Sequence, residues 1–158
     1  MLQLPDTIKM VITDFDGIVT DNCVYVNDDF KISRRLNFKD IMGFAILRRN
    51  NINVAIISGE SNAAIEILSK KFGINEIHQN IRIKIDVLKM IIEKYGLSKD
   101  EFVYLGDDIN DLECLEFAKY KITVPHATDK LKKVENIQIT NSQAGYGAFR
   151  EVVDCLAG

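Results

Sequence analysis

The sequence predicts an α/β fold: a doubly wound parallel sheet with helices on both faces and one projecting β-hairpin. Two observations carry this. Short apolar runs without polar alternation recur along the chain, and stretches with apolar residues at helical spacing fill the gaps between them. Continuous apolar runs mark strands buried on both faces, and parallel strands need a crossover, usually helical, to join them. A third observation places the ligand, because the acids and Ser-Gly turns follow the runs, where open α/β sheets bind ligands.

Taken in order, residues 8–15 predict the first strand, which ends directly in Asp14-Phe15-Asp16-Gly17. Residues 23–27 and 31–38 flank Asp28-Asp29 and predict a hairpin projecting beyond that strand. A helix follows over 40–49, a strand over 54–57, and a helix over 62–72 that stops at Gly73. Residues 83–95 predict a further helix stopped by Gly96, and 102–105 a strand that runs into Gly106-Asp107-Asp108-Ile109-Asn110-Asp111. A helix over 112–118, a strand over 122–124 and a last helix over 149–156 complete the chain, with residues 144–148 as a flexible turn before that helix.

At 158 residues and 47% hydrophobic content, the chain is expected to form one domain over 1–158 with a proper core. Twenty basic and 23 acidic residues are mixed along it for a net charge of −3, which gives no electrostatic footprint for nucleic acid or an anionic membrane. A small-molecule partner is expected instead. Cys23, Cys114 and Cys155 lack metal-like spacing and are odd in number, so they read as buried thiols in a reducing cytoplasm. No apolar run approaches membrane-spanning length, and the N-terminal residues lack a basic region followed by an apolar stretch.

Asp14 and Asp16 suit phosphoryl chemistry, because one carboxylate can attack phosphorus while a second protonates the leaving oxygen and later activates water. An acidic turn chosen for its conformation is the plain alternative. Asp107, Asp108 and Asp111 put three acids within five positions, and their repulsion together with Asp14 and Asp16 calls for Mg²⁺; helix capping is the alternative. Ser58, with Gly59 and Glu60, reads either as a phosphate-binding hydroxyl leading into a helix N-terminus or as a plain N-cap. Lys84 reads as a phosphate ligand or as a solvated lysine in a segment that also carries Arg82 and Lys89. His78 and His126 have no carboxylate or cysteine pattern around them, and neither is assigned a role.

Together, Asp14-Phe15-Asp16-Gly17 with Thr20-Asp21, Ser58-Gly59, Lys84 and Gly106-Asp107-Asp108-Ile109-Asn110-Asp111 resemble the four ordered motifs of the haloacid dehalogenase superfamily of phosphatases. Only 43 residues separate Asp14 from Ser58, too few for a cap domain, and residues 145–151 are similar to a glycine-rich C-terminal signature of the capless branch. That branch contains the 3-deoxy-D-manno-octulosonate 8-phosphate phosphatases and the nonulosonate 9-phosphate phosphatases. The resemblance implies a Rossmann-like fold without a cap and an aspartyl-phosphate intermediate on Asp14, with Asp16 as general acid and base. It also implies Ser58 and Lys84 as phosphate ligands, and Mg²⁺ held by Asp14, the Asp16 carbonyl and Asp107, with Asp108 and Asp111 completing or orienting the metal shell.

The implied substrate is an ulosonic acid sugar phosphate, and octulosonate 8-phosphate is the leading expectation. Glu60 replaces the arginine that usually follows Ser/Thr-Gly in the octulosonate enzymes and, with Lys71, resembles the nonulosonate group; as a plain alternative, Glu60 begins a helix. The same branch implies a homotetramer, in which residues 145–150 with Arg150 as a contact reach a neighbouring site; an ordinary C-terminal helix is the plain alternative. Ala144 and Ile83 depart from the pattern, where the branch usually has Gly and Asp. Two other classes compete. A receiver domain carries its acceptor Asp on a later strand than this order allows, and a catalytically silent relative of the sialic-acid cytidylyltransferases sits poorly with intact Asp14 and Asp16.

Overall fold

The structure, a computed structural model, describes residues 1–157. Six strands form one parallel sheet: β1 (Met10–Thr13), β4 (Asn53–Ile57), β5 (Glu76–His78), β6 (Phe102–Leu105), β7 (Tyr120–Thr123) and β8 (Gln138–Ile139). Their spatial order is β5-β4-β1-β6-β7-β8. Two further strands, β2 (Tyr25–Val26) and β3 (Ile32–Ser33), pair antiparallel as a separate hairpin. The helices are α1 (Phe38–Arg49), α2 (Ala63–Phe72), α3 (Lys84–Tyr95), α4 (Leu112–Phe117), α5 (Asp129–Lys132) and α6 (Ala148–Ala157), with a 3₁₀ turn at Ile109–Asp111.

Every residue of β1 and β6 is buried, as the unbroken apolar runs require, and alternate side chains enter two cores. Val11, Val103 and Leu105 face α1, α2 and α6, joining Phe44, Ile65, Leu68 and Phe149. Met10, Ile12, Phe102 and Tyr104 face α3 and α4, joining Leu88, Ile91 and Cys114. The rings of Phe44 and Phe149 stack 4.5 Å apart and pin α6 onto α1. Gly73 and Gly96 end α2 and α3 in the left-handed conformation, where the sequence placed the stops.

The order in which the chain adds strands reverses at β1, which lies between β4 and β6. Thr13 is in register with Leu105, and the Asp14 amide donates to the Leu105 carbonyl at 2.9 Å. Asp14 and Gly106 therefore leave adjacent strands at one height, at the switch point where α/β sheets open a crevice.

Several expectations change. β5, β8 and α5 were not anticipated, because two- to four-residue elements with polar members carry no readable period. Residues 144–148 are docked, not flexible: Gly145 donates to Ile18 O and accepts from Arg35 Nη2 and Asn37 Nδ2, and Gly147 N donates to the buried Asp40 carboxylate. The cysteines are all free, but only Cys114 is buried. Among the described residues no helix is long and apolar enough to cross a membrane.

Candidate active site

Asp14, Asp16, Ser58, Gly59, Glu60, Asp107 and Asp108 line one cavity of about 440 Å³, with Asn22, Ile81, Arg82 and Asn110. Residues separated by as many as 96 positions meet there, because β1, β4 and β6 are neighbours and end on the same side.

Gly17 and Gly106 permit the approach of the two acid loops. A Cβ on Gly17, whose φ is +90°, would stand 2.0 Å from Asp107 Oδ2, and one on Gly106 would stand 2.4 Å from Asp111 Cβ. The left-handed φ at Gly17 and the close approach of the Asp111 side chain at Gly106 make both positions favour glycine. Ligand oxygens of Asp14, Asp107 and Asp111 lie within 4.8 Å of one another, and all three residues are buried.

Lys84 opens α3 with no side-chain cap behind it, and its side chain is fully buried. Its Nζ lies 3.0 Å from Asp14 Oδ1 and 2.8 Å from Asp111 Oδ1. The solvated-lysine reading is overturned. Burial lowers the Lys84 pKa, but Asp111 and Asp14 more than offset it and the net shift is upward, so the ammonium stays charged. Asp111 also accepts from the buried Tyr104 hydroxyl at 2.7 Å and, at 3.2 Å, from the Asp107 amide.

The remaining acids are held at higher energy. Burial first, then Asp111, raises Asp14 well above the usual carboxylate range although Lys84 opposes the shift. Burial, Asp111 and Asp108 push Asp107 up to about 7. Such a cluster binds either protons or a cation, and the donor set of hard carboxylate oxygens fits Mg²⁺. Asp108 stands apart: it is exposed, and its carboxylate caps the 3₁₀ turn by accepting from Ile109 N at 2.7 Å.

Ser58 is not the N-cap of α2. Asn62 takes that place, accepting from Ile65 N at 3.1 Å, while the buried Ser58 hydroxyl accepts from Glu60 N at 3.2 Å. The helix begins three residues beyond Glu60, so Glu60 belongs to the loop before it and is not a first-turn acid. Lys71 is not brought to the site. It lies exposed in the last turn of α2, at the far end of a helix about 15 Å long, with its ammonium 5.5 Å above the Phe72 ring. Arg150 is not in its own chain's crevice either; its Nε pairs with Asp154 at 2.6 Å.

Sequence reasoning missed Arg34, whose Nε lies 2.9 and 3.0 Å from the two Asp16 oxygens. It also missed Asn22, which donates to Asp107 Oδ2 at 3.3 Å, and Tyr104. A tyrosine inside an otherwise apolar strand was a usable signal, since a buried hydroxyl needs a partner. Arg34 gave none, because nothing local ties a hairpin residue to the turn after β1.

A strand-end carboxylate pair, a buried lysine and an acid cluster suited to a divalent ion define a phosphoryl-transfer site on a capless doubly wound sheet. The model of the haloacid dehalogenase-like hydrolases matches residues 15–149, so the chain belongs to that family, as a phosphomonoester hydrolase without a cap domain. The 3-deoxy-D-manno-octulosonate 8-phosphate phosphatase KdsC of Salmonella typhi is 28% identical over 96% of this chain and 80% of its own. The crystal structure of the enzyme of that name from Moraxella catarrhalis, in complex with magnesium, phosphate and KDO, is 30% identical with a TM-score of 0.89, covering 96% of this chain and 86% of that one. The cobalt-bound phosphatase of the same kind from Haemophilus influenzae matches at 25% identity and a TM-score of 0.87, over 96% and 88% of the two chains.

Proposed function

We propose that this protein is a Mg²⁺-dependent phosphatase that removes the terminal phosphate of an ulosonic acid sugar, of the 3-deoxy-D-manno-octulosonate 8-phosphate type, through an aspartyl-phosphate. The observation that carries the proposal is the Asp14–Lys84–Asp111 ion-pair chain beside Asp107, with Asp16 two residues from Asp14. Asp14 attacks phosphorus while the Asp16 carboxyl passes its proton to the leaving ester oxygen; Asp16, now ionised, then takes a proton from the water that releases phosphate. Ser58, the Gly59 and Glu60 amides and Lys84 hold the phosphate oxygens. Asp14, the Asp16 carbonyl and Asp107 would hold Mg²⁺, with Asp111 orienting them and Asp108 acting through water. The ion would offset the repulsion between the phosphate and these acids.

Asp14→Asn is expected to abolish turnover while the thermal transition stays in place. Asp16→Asn should bind substrate and slow the reaction by about 10² to 10⁴. Near-wild-type activity of Asp14→Asn in a steady-state phosphate-release assay would remove the nucleophile assignment.

A carboxylate-bearing substrate is supported by Arg82, the one cation among the residues lining the cavity, which takes part in no salt bridge among the described residues. A nonulosonate 9-phosphate is favoured by Glu60, which faces the cavity free of any helix-starting duty and would accept hydrogen bonds from sugar hydroxyls or an amide. Comparing kcat/KM for the 8-phosphate and 9-phosphate sugars in wild type, Glu60→Arg and Arg82→Ala separates them. Glu60→Arg should shift preference toward the 8-phosphate, and Arg82→Ala should raise KM for both by about tenfold, the weight of one charged hydrogen bond. Poor turnover of both sugars by the wild type would dismiss the substrate class.

The assembly proposed is a homotetramer acting in the cytoplasm on a small sugar phosphate, with the chain as a single domain. The three free thiols fit a reducing compartment.

A further inference from the structure

The hairpin delivers one side chain into the acid loop. Immediately after β3, Arg34 turns inward, and its Nε is shared between Asp16 Oδ1 at 2.9 Å and Oδ2 at 3.0 Å. The side chains of Arg34 and Asp16 are only 11% and 20% exposed, so the contact is not a loose surface pair. On the other flank the buried Thr20 hydroxyl donates to Asp16 Oδ1 at 2.9 Å. Both Asp16 oxygens thereby accept hydrogen bonds from residues outside the cavity lining, which restricts how the carboxyl group can turn.

The next residue keeps Arg34 where it is. Arg35 Nε pairs with Asp21 at 3.0 Å, its Nη2 donates to Gly145 O at 3.0 Å, and its guanidinium lies 4.3 Å above the Tyr146 ring. Asn37 Nδ2 donates to the same carbonyl at 3.2 Å. The strand exit is therefore clamped to the docked C-terminal segment at several points, and the reach of Arg34 into the loop does not depend on its own ion pair alone. Within the site the cations are divided: Lys84 serves Asp14 and Asp111, and Arg34 serves Asp16.

We propose that Arg34 is a positioning residue for Asp16, holding its carboxyl group in the orientation from which a proton passes to the leaving oxygen as the phosphorus–oxygen bond breaks. The proposal rests on the assignment of Asp16 as general acid. Proton transfer demands hydrogen-bond reach in the reacting complex, and a misplacement of about 1 Å costs as much as 10² in rate. The same proton moves in either case, from the Asp16 carboxyl to the ester oxygen; Arg34 contributes no proton and acts only through the Asp16 carboxyl group.

A structural tie between hairpin and core would use the same ion pair, so the experiment has to read the acid step. A sugar phosphate leaves as an alkoxide and needs protonation, whereas p-nitrophenyl phosphate leaves as a stable phenolate and does not. Single-turnover release of each leaving group is measured with wild type, Arg34→Gln, Arg34→Lys and Arg35→Gln, with octulosonate 8-phosphate as the sugar, alongside steady-state KM. Arg34→Gln is expected to slow sugar release by at least about tenfold, with nitrophenolate release and KM within about threefold of wild type. Arg34→Lys should recover part of the loss, and Arg35→Gln, which loosens the clamp but leaves Arg34 its partner, should keep the ratio between the two leaving groups.

An equal fall on both substrates, or an unchanged ratio in Arg34→Gln, overturns the proposal and leaves the pair structural. Asp16→Asn separates the two layers. If Asp16→Asn releases sugar at the wild-type rate, the general-acid assignment itself fails; if it does not and Arg34→Gln behaves as wild type, only the role of Arg34 fails.

Discussion

Lys84 holds together residues that electrostatics alone would drive apart. Three buried acids meet at Asp14, Asp107 and Asp111, and one ammonium spans two of them. Asp14 and Asp107 nevertheless have raised pKa values, because of burial and the neighbouring Asp111. Raised carboxyl values mean that the metal-free folded chain retains protons which the unfolded chain releases. The associated stability is complete below the ordinary value of 3.8 and is lost as pH rises toward about 7, the value for Asp107. Mg²⁺ competes with those protons, so its stabilising effect grows in the same direction. Calorimetric scans with chelator and with excess Mg²⁺ should show a gain in Tm that is larger above about pH 7 than near about pH 5, and a gain that shrinks with rising pH would contradict the site.

At the scale of elements, the docking of α6 on α1 connects the C-terminal segment to the acid loop. Asp40, fully buried in the first turn of α1, accepts from Gly147 N and Arg150 N at 3.0 Å each and so serves as the N-terminal cap of α6 from another helix. Burial raises its pKa, while those backbone donors act in the opposite direction. Asp40→Ala would leave two amides without a partner and is expected to cost about 1–3 kcal/mol. Urea denaturation checks this, and Asp40→Asn, which keeps an acceptor, should restore part of the loss. The periodicity of residues 149–156 foretold the helix, but not that its cap would come from more than 100 positions away, because capping between helices leaves no local pattern.

At the scale of the whole molecule, the hairpin breaks a local rule. Phe30 adopts φ of +61°, a conformation that costs a bulky residue about 1–2 kcal/mol, and its side chain is 92% exposed. Val24, Tyr25, Val26 and Ile32 are also exposed, so an apolar surface accompanies the strain. Strain beside an exposed apolar surface motivates the proposal that a second copy of the chain covers the hairpin in the homotetramer proposed above. Phe30→Gly should relieve the strain and stabilise the isolated chain, yet shift the assembly toward monomer in light scattering. A fully active monomeric wild type at assay concentration would dismiss the tetramer.

What the chain determines by itself is now separable from what its folding decides. The apolar runs of β1, β4 and β6 and the helical periods between them were legible, because burial on both faces of a sheet needs unbroken apolar sequence. Asp14, Asp16, Ser58, Glu60 and Asp107 were legible because they follow buried strands, where open α/β sheets bind ligands, and all of them line the cavity. Tertiary structure alone decided that Lys84 is buried between two acids, that Arg34 rests on Asp16, and that Lys71 points away from the site. The physical reason is range. Secondary structure follows from neighbours a few positions apart, whereas the charge partner of a side chain is set by which strands lie side by side, and that order is decided only when the whole sheet packs.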